Sequence, residues 1–224
     1  MPFVTVAGQR LFYIRRGARG APAVLLLHGA GGHGVLWGSV LAHLPSLDSL
    51  AIDLPGHGRS EGAASADLAE YADTVVALPP LLGLRTLVVT GHSMGGAIAL
   101  ELALRRPTWL RGVALISVTA RLSVAPDLLQ KLVHDPAQAR RWIVETGYGS
   151  AAQARMKESG LQQLAQVPPE VLHQDFVACS RSDMRLRLGE VQVPALVLSG
   201  DEDRLTPLKH VRALAEGLPR ATLT

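Results

Sequence analysis

Apolar residues fall along this chain in two rhythms. Uninterrupted short runs recur at Ala23 to Leu27 (AVLLL), Ser49 to Leu54 (SLAIDL), Thr86 to Thr90 (TLVVT), Val113 to Ser117 and Ala195 to Ser199 (ALVLS). Runs of this length without polar alternation predict strands buried on both faces. Between them the apolar positions take helical spacing, as Ile98 and Leu102 do after Thr90. That spacing predicts helices over Val35 to Leu44, over Asp67 to about Ala77 with Ser65 as a cap, over the residues between Ser93 and Pro107, and over Leu208 to about Glu216. Pro79-Pro80 is expected to interrupt the second of these. Two alternating runs at the start, Phe3 to Val6 and Leu11 to Arg15, are separated by Ala7-Gly8-Gln9-Arg10 and predict an antiparallel hairpin. Ala221 to Thr224 reads as the beginning of one more strand.

Strands alternating with helices imply a mostly parallel, doubly wound α/β sheet with helices on both faces, and function at the carboxyl ends of its strands. The alternation stops between Thr119 and Val193, where four helices are expected around Pro126 to Val133, Pro136 to Thr146, Ala151 to Gln166 and Pro169 to Ser180. The expected organisation is an α/β core from residues 1–119 and 194–224 with an inserted helical cap at 120–193. Leu128, Leu132, Trp142, Ile143, Leu164 and Phe176 serve mostly as the cap's own packing, with a few facing the cleft beneath.

Composition narrows the classes. The chain has 224 residues, 48% of them hydrophobic and 18% charged, which excludes a disordered protein. Its formal charge of +3 comes from arginines scattered in ones and twos, so no basic block offers a nucleic-acid surface. No apolar run is long enough to span a membrane. Cys179 stands alone, which leaves no internal disulfide and no cysteine metal cluster. With no leader-like start, a cytoplasmic protein, monomer or homodimer, is expected.

The chemistry concentrates at three strand ends. Gly91-His92-Ser93-Met94-Gly95 is a G-x-S-x-G turn between a predicted strand and a predicted helix, a setting that strains the serine backbone and lifts Ser93 Oγ clear of the sheet. The Met94 N–H, at the helix start, and the Ala30 N–H, in the glycine-rich His28-Gly29-Ala30-Gly31-Gly32 loop, are the donors that a negative oxygen would need. A serine hydroxyl also needs a base and an acid to orient that base. Gly200 to Pro207 supplies three carboxylates, Asp201, Glu202 and Asp203. Trp37 and Trp142 are the expected substrate-binding aromatics.

Taken together and in this order, HGAGG, DLPGHGRS, GHSMGG and GDEDRLTP resemble the α/β-hydrolase family in its esterase and C–C hydrolase-like branch, over nearly the whole chain. The resemblance implies Ser93 as nucleophile and Asp203 as acid. It also implies that Asp53 and His57 shape the site, that His28 supports the oxyanion loop, and that no cofactor or metal is used. It places the base in a loop after the last strand, farther beyond the acid than the 21 residues that follow Asp203. The histidine and the rest of that strand are therefore expected beyond Thr224, and the 224 residues alone are expected to be weakly active. The function implied is hydrolysis of a small carboxylic ester through an acyl-enzyme. Cleavage of a C–C bond, lactone or thioester, perhydrolysis, and a non-catalytic ligand-binding protein are the alternatives.

Overall fold

A computed structural model describes residues 2–224. The chain opens as the hairpin β1 (Phe3–Val6) and β2 (Gln9–Arg16), closed by Ala7 and Gly8 at φ 47° and 84°, the left-handed pair that a two-residue hairpin turn requires. It continues through β3 (Ala23–Leu27), α1 (Gly38–Ala42), β4 (Asp48–Ile52), α2 (Leu68–Leu81), β5 (Leu87–His92), α3 (Met94–Arg105) and β6 (Leu110–Ile116). Four helices follow: α4 (Pro126–His134), α5 (Pro136–Gly147), α6 (Ala154–Ala165) and α7 (Pro169–Arg181). Then come β7 (Ala195–Leu198), α8 (Leu208–Gly217) and β8 (Ala221–Leu223).

All eight strands join one sheet in the order β1-β2-β4-β3-β5-β6-β7-β8. β1, β2 and β4 pair antiparallel, and every pair from β4 through β3 to β8 is parallel. The continuous apolar runs now have their reason. On β3, Leu25 and Leu27 enter the large core under α2, α3 and α8, while Leu26 between them enters a second cluster with Trp37, Leu41 and Ala51 on the opposite face. A polar residue at either phase of such a strand would be buried.

Helix α3 is buried nearly all round, with Ile98, Leu100 and Leu102 each fully enclosed and each contributing about 2 kcal/mol by burial. It ends where Arg106 turns left-handed at φ 53° before Pro107. Two sequence expectations need correction here. The predicted helix at Val35 to Leu44 is a 3-10 turn, Gly34–Trp37, followed by the short α1. Helix α2 runs through Pro79-Pro80 to Leu81, because in the last turn the prolines forfeit only terminal hydrogen bonds while Leu78 and Pro79 are buried. Its cap is Asp67, which accepts from the Ala69 N–H at 2.8 Å, and Ser65 instead accepts from the Asp67 N–H.

Helices α4–α7 leave the sheet after β6 and return before β7, and a bridge between Arg121 and Asp183 closes the neck of the insertion. Leu128, Leu132, Ala139 and Leu172 form its own small core.

Candidate active site

The glycines of the G-x-S-x-G turn are dictated by contact. A Cβ on Gly91 would lie 2.0 Å from the Gly95 carbonyl oxygen, and one on Gly95 would lie 2.4 Å from that of Leu27. With both glycines in place, Ser93 caps α3 at φ 52°, ψ −117°, a backbone region that a non-glycine residue occupies only when its surroundings enforce it. The enforcement is visible: the Ser93 N–H donates to the Ile116 carbonyl at 2.8 Å, and the Ser93 carbonyl accepts from Ala97 at 3.0 Å. Ser93 and the first residue of α3, Met94, thus stand at the carboxyl end of the central strand, where the helix amides carry partial positive charge.

The glycine-rich loop after β3 approaches the same point. A Cβ on Gly29 would lie 3.3 Å from Ser93 Cβ. Gly32 N–H bonds back to the Gly29 carbonyl at 2.9 Å, and Gly31 takes φ 65°, so Gly29 to Gly32 form a type II turn with Ala30 at its second position. His28 underpins it. Its Nε2 accepts from the Leu54 N–H at 3.1 Å and its Nδ1 faces the Gly29 carbonyl at 2.9 Å, which assigns a neutral ring with the proton on Nδ1. Burial, and then the nearby His57 ring, hold the His28 pKa well below the ordinary histidine value. Asp53 ties the neighbouring loops by accepting from Gly34 N–H at 2.6 Å and Arg59 N–H at 2.8 Å.

Asp203, in the loop after β7, lines the same cavity as Ser93. Its carboxylate accepts from the Leu205 and Thr206 amides at 2.9 and 2.8 Å and from the Thr206 hydroxyl at 2.6 Å. Burial works to raise its pKa, but the Thr206, Ser117 and Leu205 hydrogen bonds outweigh burial and hold it below the usual carboxylate value. Asp201 and Glu202 are exposed, and Glu202 is engaged by Ser150.

The cavity is about 420 Å³, with the glycine-rich loop, Ser93, Ser117 and Asp203 on one side and residues of α5, α6 and α7 on the other. Leu36, Ile143, Val144, Leu164, Phe176 and Leu205 give it an apolar wall, and neither lysine nor arginine lines it. Of the predicted site residues the fold brings together Ser93, Ala30 and Asp203 around this space, with Met94 buried directly behind Ser93. The two tryptophans lie elsewhere. Trp37 is buried in the small cluster with Leu26 and Leu41, and Trp142 is 40% exposed. Their chain neighbours Leu36 and Ile143 take the lining positions, because one residue along turns the side chain by about 120° in the 3-10 turn and about 100° in α5.

Two histidines also line the cavity, His33 and His92, whereas His210 is exposed outside it. Burial keeps the His92 pKa below the ordinary value, partly offset by Asp203. Among the described residues no histidine is hydrogen-bonded to Ser93 or Asp203. Ser117, which no sequence motif marks, stands at φ 48° after β6, lines the cavity with Asp203 and helps to lower the Asp203 pKa. Sequence inspection also missed Asp175, whose partners lie far away in sequence.

The model of a family described as alpha/beta hydrolase fold matches residues 22–145. The chain is 32% identical to the dihydrolipoyllysine-residue acetyltransferase component of the acetoin cleaving system of Pseudomonas putida, over 92% of this chain but only 59% of that protein's length. It is 31% identical to the pimeloyl-[acyl-carrier protein] methyl ester esterase of Xanthomonas oryzae pv. oryzae, over 89% of this chain and 84% of the esterase. Among solved structures, the enol-lactonase from Burkholderia xenovorans LB400 superposes with a TM-score of 0.91 at 25% identity, covering 100% of this chain and 90% of the lactonase.

Proposed function

The chain belongs to the α/β-hydrolase family, and from that premise we propose that it is a serine hydrolase cleaving small, uncharged carboxylic esters through an acyl-enzyme on Ser93. The observation that carries this proposal is the strained backbone of Ser93, at φ 52° and ψ −117°, on the wall of a cavity shared with Asp203. Strain of that kind costs on the order of 1–3 kcal/mol and is retained where a side chain must be aimed.

In this mechanism Ser93 Oγ attacks the ester carbonyl carbon, and its proton passes to a base standing between Ser93 and Asp203. The family supplies that base as a histidine from the loop after the final strand. The carbonyl oxygen, now negative, is received by the Ala30 and Met94 N–H groups, whose positions are set before substrate arrives. The C–O bond to the alcohol then breaks as the base returns the proton to the leaving oxygen. Water repeats the sequence on the acyl-enzyme and releases the acid. Asp203, kept ionised by Thr206 and Ser117, holds the base in the tautomer that faces Ser93.

An apolar wall without lysine or arginine supports a neutral acyl or alcohol group, and 420 Å³ lies toward the small end of the roughly 300–1,000 Å³ usual for ligand sites. The esterase relative acts on a methyl ester by its name, and a methyl or other small alcohol suits the same space. The lactonase neighbour favours one second substrate, a lactone, whose leaving oxygen stays tethered to the acyl group.

A fluorophosphonate probe tests the nucleophile. In a protein that carries the base histidine after the final strand, Ser93 is expected to be labelled and Ser93→Ala to lose the label, whereas labelling that survives the substitution removes Ser93 from the mechanism. A panel of p-nitrophenyl esters beside a five-membered lactone then separates the two substrate classes.

A further inference from the structure

The insertion helix α7 carries a carboxylate in a place where carboxylates are seldom tolerated. Asp175 is completely buried and lies outside the cavity lining. Its Oδ2 accepts from the Gly31 N–H at 2.7 Å and contacts His57 Nε2 at 2.8 Å, while its Oδ1 accepts from the Tyr71 hydroxyl at 2.9 Å. One side chain thus joins α7 to the loop after β3, the loop after β4 and the first turn of α2. The His57 ring has its other nitrogen 2.9 Å from the Pro55 carbonyl, so with both bonds made it carries two protons and a positive charge. Burial opposes that charge, but the Asp175 bond prevails and leaves the His57 pKa raised.

A buried ion pair is an expensive way to gain stability, since well-packed apolar residues often do as well. What this pair does that leucines would not is hold the N–H of Gly31. The Ala30 N–H belongs to the peptide one step earlier, whose Gly29 carbonyl accepts from the Gly32 N–H and faces His28 Nδ1, so the turn is held at one end by those bonds and at its Gly31 end by Asp175. Freed at Gly31, the Ala30–Gly31 peptide can rotate toward a type I turn, and the loop that carries the Ala30 N–H loses one of the anchors that fix it beside Ser93. Leu172 and Leu164 add a steric lock, since a Cβ on Gly31 would lie 2.7 Å from the first and 3.0 Å from the second.

Resting on the proposed serine hydrolase, we propose that Asp175 is a positioning residue that, through Gly31, anchors the turn carrying the Ala30 N–H at its place beside Ser93 and the developing oxyanion. The insertion thereby completes the catalytic apparatus as well as walling the cavity.

The test is the rate of fluorophosphonate labelling of Ser93, measured beside the melting temperature in wild type, Asp175→Ala, Asp175→Asn and Tyr71→Phe, each carrying the base histidine after the final strand. Loss of an oxyanion donor outright costs about 10²–10³-fold, so Asp175→Ala, which only frees the turn, is expected to slow labelling by about 10–100-fold. Asp175→Asn retains one oxygen for the Gly31 N–H and is expected to recover most of the rate. Tyr71→Phe removes a partner of Asp175 but not the Gly31 bond, so it is expected to lower the melting temperature and leave the rate within about twofold. Equal rates in all four proteins overturn the proposal, as does a Tyr71→Phe rate as slow as that of Asp175→Ala, which would make labelling follow stability alone. Should Asp175→Ala fail to fold, hydrogen exchange of the Gly31 amide in wild type decides: protection is expected, and exchange at the rate of an unstructured glycine overturns the proposal. A wild-type protein that does not label at Ser93 defeats the hydrolase reading itself, and with it this role for Asp175.

Discussion

Gly95→Ala adds a single methyl group and should disturb both stability and the nucleophile. The new Cβ would stand 2.4 Å from the Leu27 carbonyl oxygen and 2.6 Å from that of His28, roughly 1 Å inside ordinary contact. Neither oxygen can retreat easily. Leu27 is in register with Ile52 on one side and Gly91 on the other, and His28 is held from both ring nitrogens. The first turn of α3 must therefore back away and take the Met94 N–H with it. Overpacking of this kind costs about 1–3 kcal/mol. The better helix propensity of alanine returns about 0.5–1 kcal/mol, leaving a net loss of up to about 2.5 kcal/mol. The rate should fall further than stability does, because a 1 Å misplacement of catalytic groups is worth on the order of 10²-fold. Urea denaturation and the labelling rate of Ser93 measure the two quantities. Gly38→Ala is the control: φ −54°, ψ −43°, with nothing within 4 Å of the added methyl. It should gain up to about 1 kcal/mol and leave labelling unchanged. A Gly95→Ala protein as stable and as reactive as wild type would refute the reasoning, and so would a Gly38→Ala protein that loses as much.

Two further outcomes follow from the charges around the site. Asp203→Asn should lower ester turnover by about 10⁴-fold, since the amide favours the wrong tautomer of the base, while Asp201→Asn, an exposed neighbour, should stay within about twofold; equal losses would assign the acid wrongly. By NMR of the imidazole protons, His57 should titrate above the ordinary value of 6.5, His92 below it and His28 well below it. The raised His57 pKa stabilises fully below pH 6.5 and its contribution is lost as pH climbs through the folded value; the lowered pKa values of His28 and His92 cost stability as pH drops from 6.5 toward theirs. Urea midpoints across pH should therefore fall on both sides of about pH 6.5 on account of these three rings, and a reversed titration order would contradict the assigned hydrogen bonds.

What could be read in the sequence was local. Gly91, Ser93 and Gly95 adjoin one another, so the turn they build is written in one pentapeptide, and strands buried on both faces announce themselves as unbroken apolar runs. The failures share a cause, dependence on groups far along the chain. Apolar spacing alone does not tell which of two neighbours faces a cavity: Trp37 and Trp142 lie outside it, and the phase of each helix turns Leu36 and Ile143 inward instead. Pro79-Pro80 looked like a helix end because local propensity is blind to the burial of Leu78 and Pro79. Asp175 gave no signal at all. It stands in an amphipathic helix like many surface acids, and Tyr71, His57 and Gly31 lie 104, 118 and 144 residues away.

That last hydrogen bond bears on modularity. An insertion spliced between two strands looks exchangeable, a cassette that could be swapped between hydrolases to alter substrate range while the sheet stays untouched. Here the cassette is also tied to the core between its two peptide connections, and one of those ties, from Asp175, holds the Gly31 amide of the glycine-rich loop. A graft replacing α4–α7 would bring its own acyl wall but would strand that amide, the imidazole of His57 and the hydroxyl of Tyr71 without an acceptor. Chimeras made at this junction should therefore succeed only when the incoming helix offers a carboxylate or amide oxygen in register with position 175, or when the glycine-rich loop is transplanted with it.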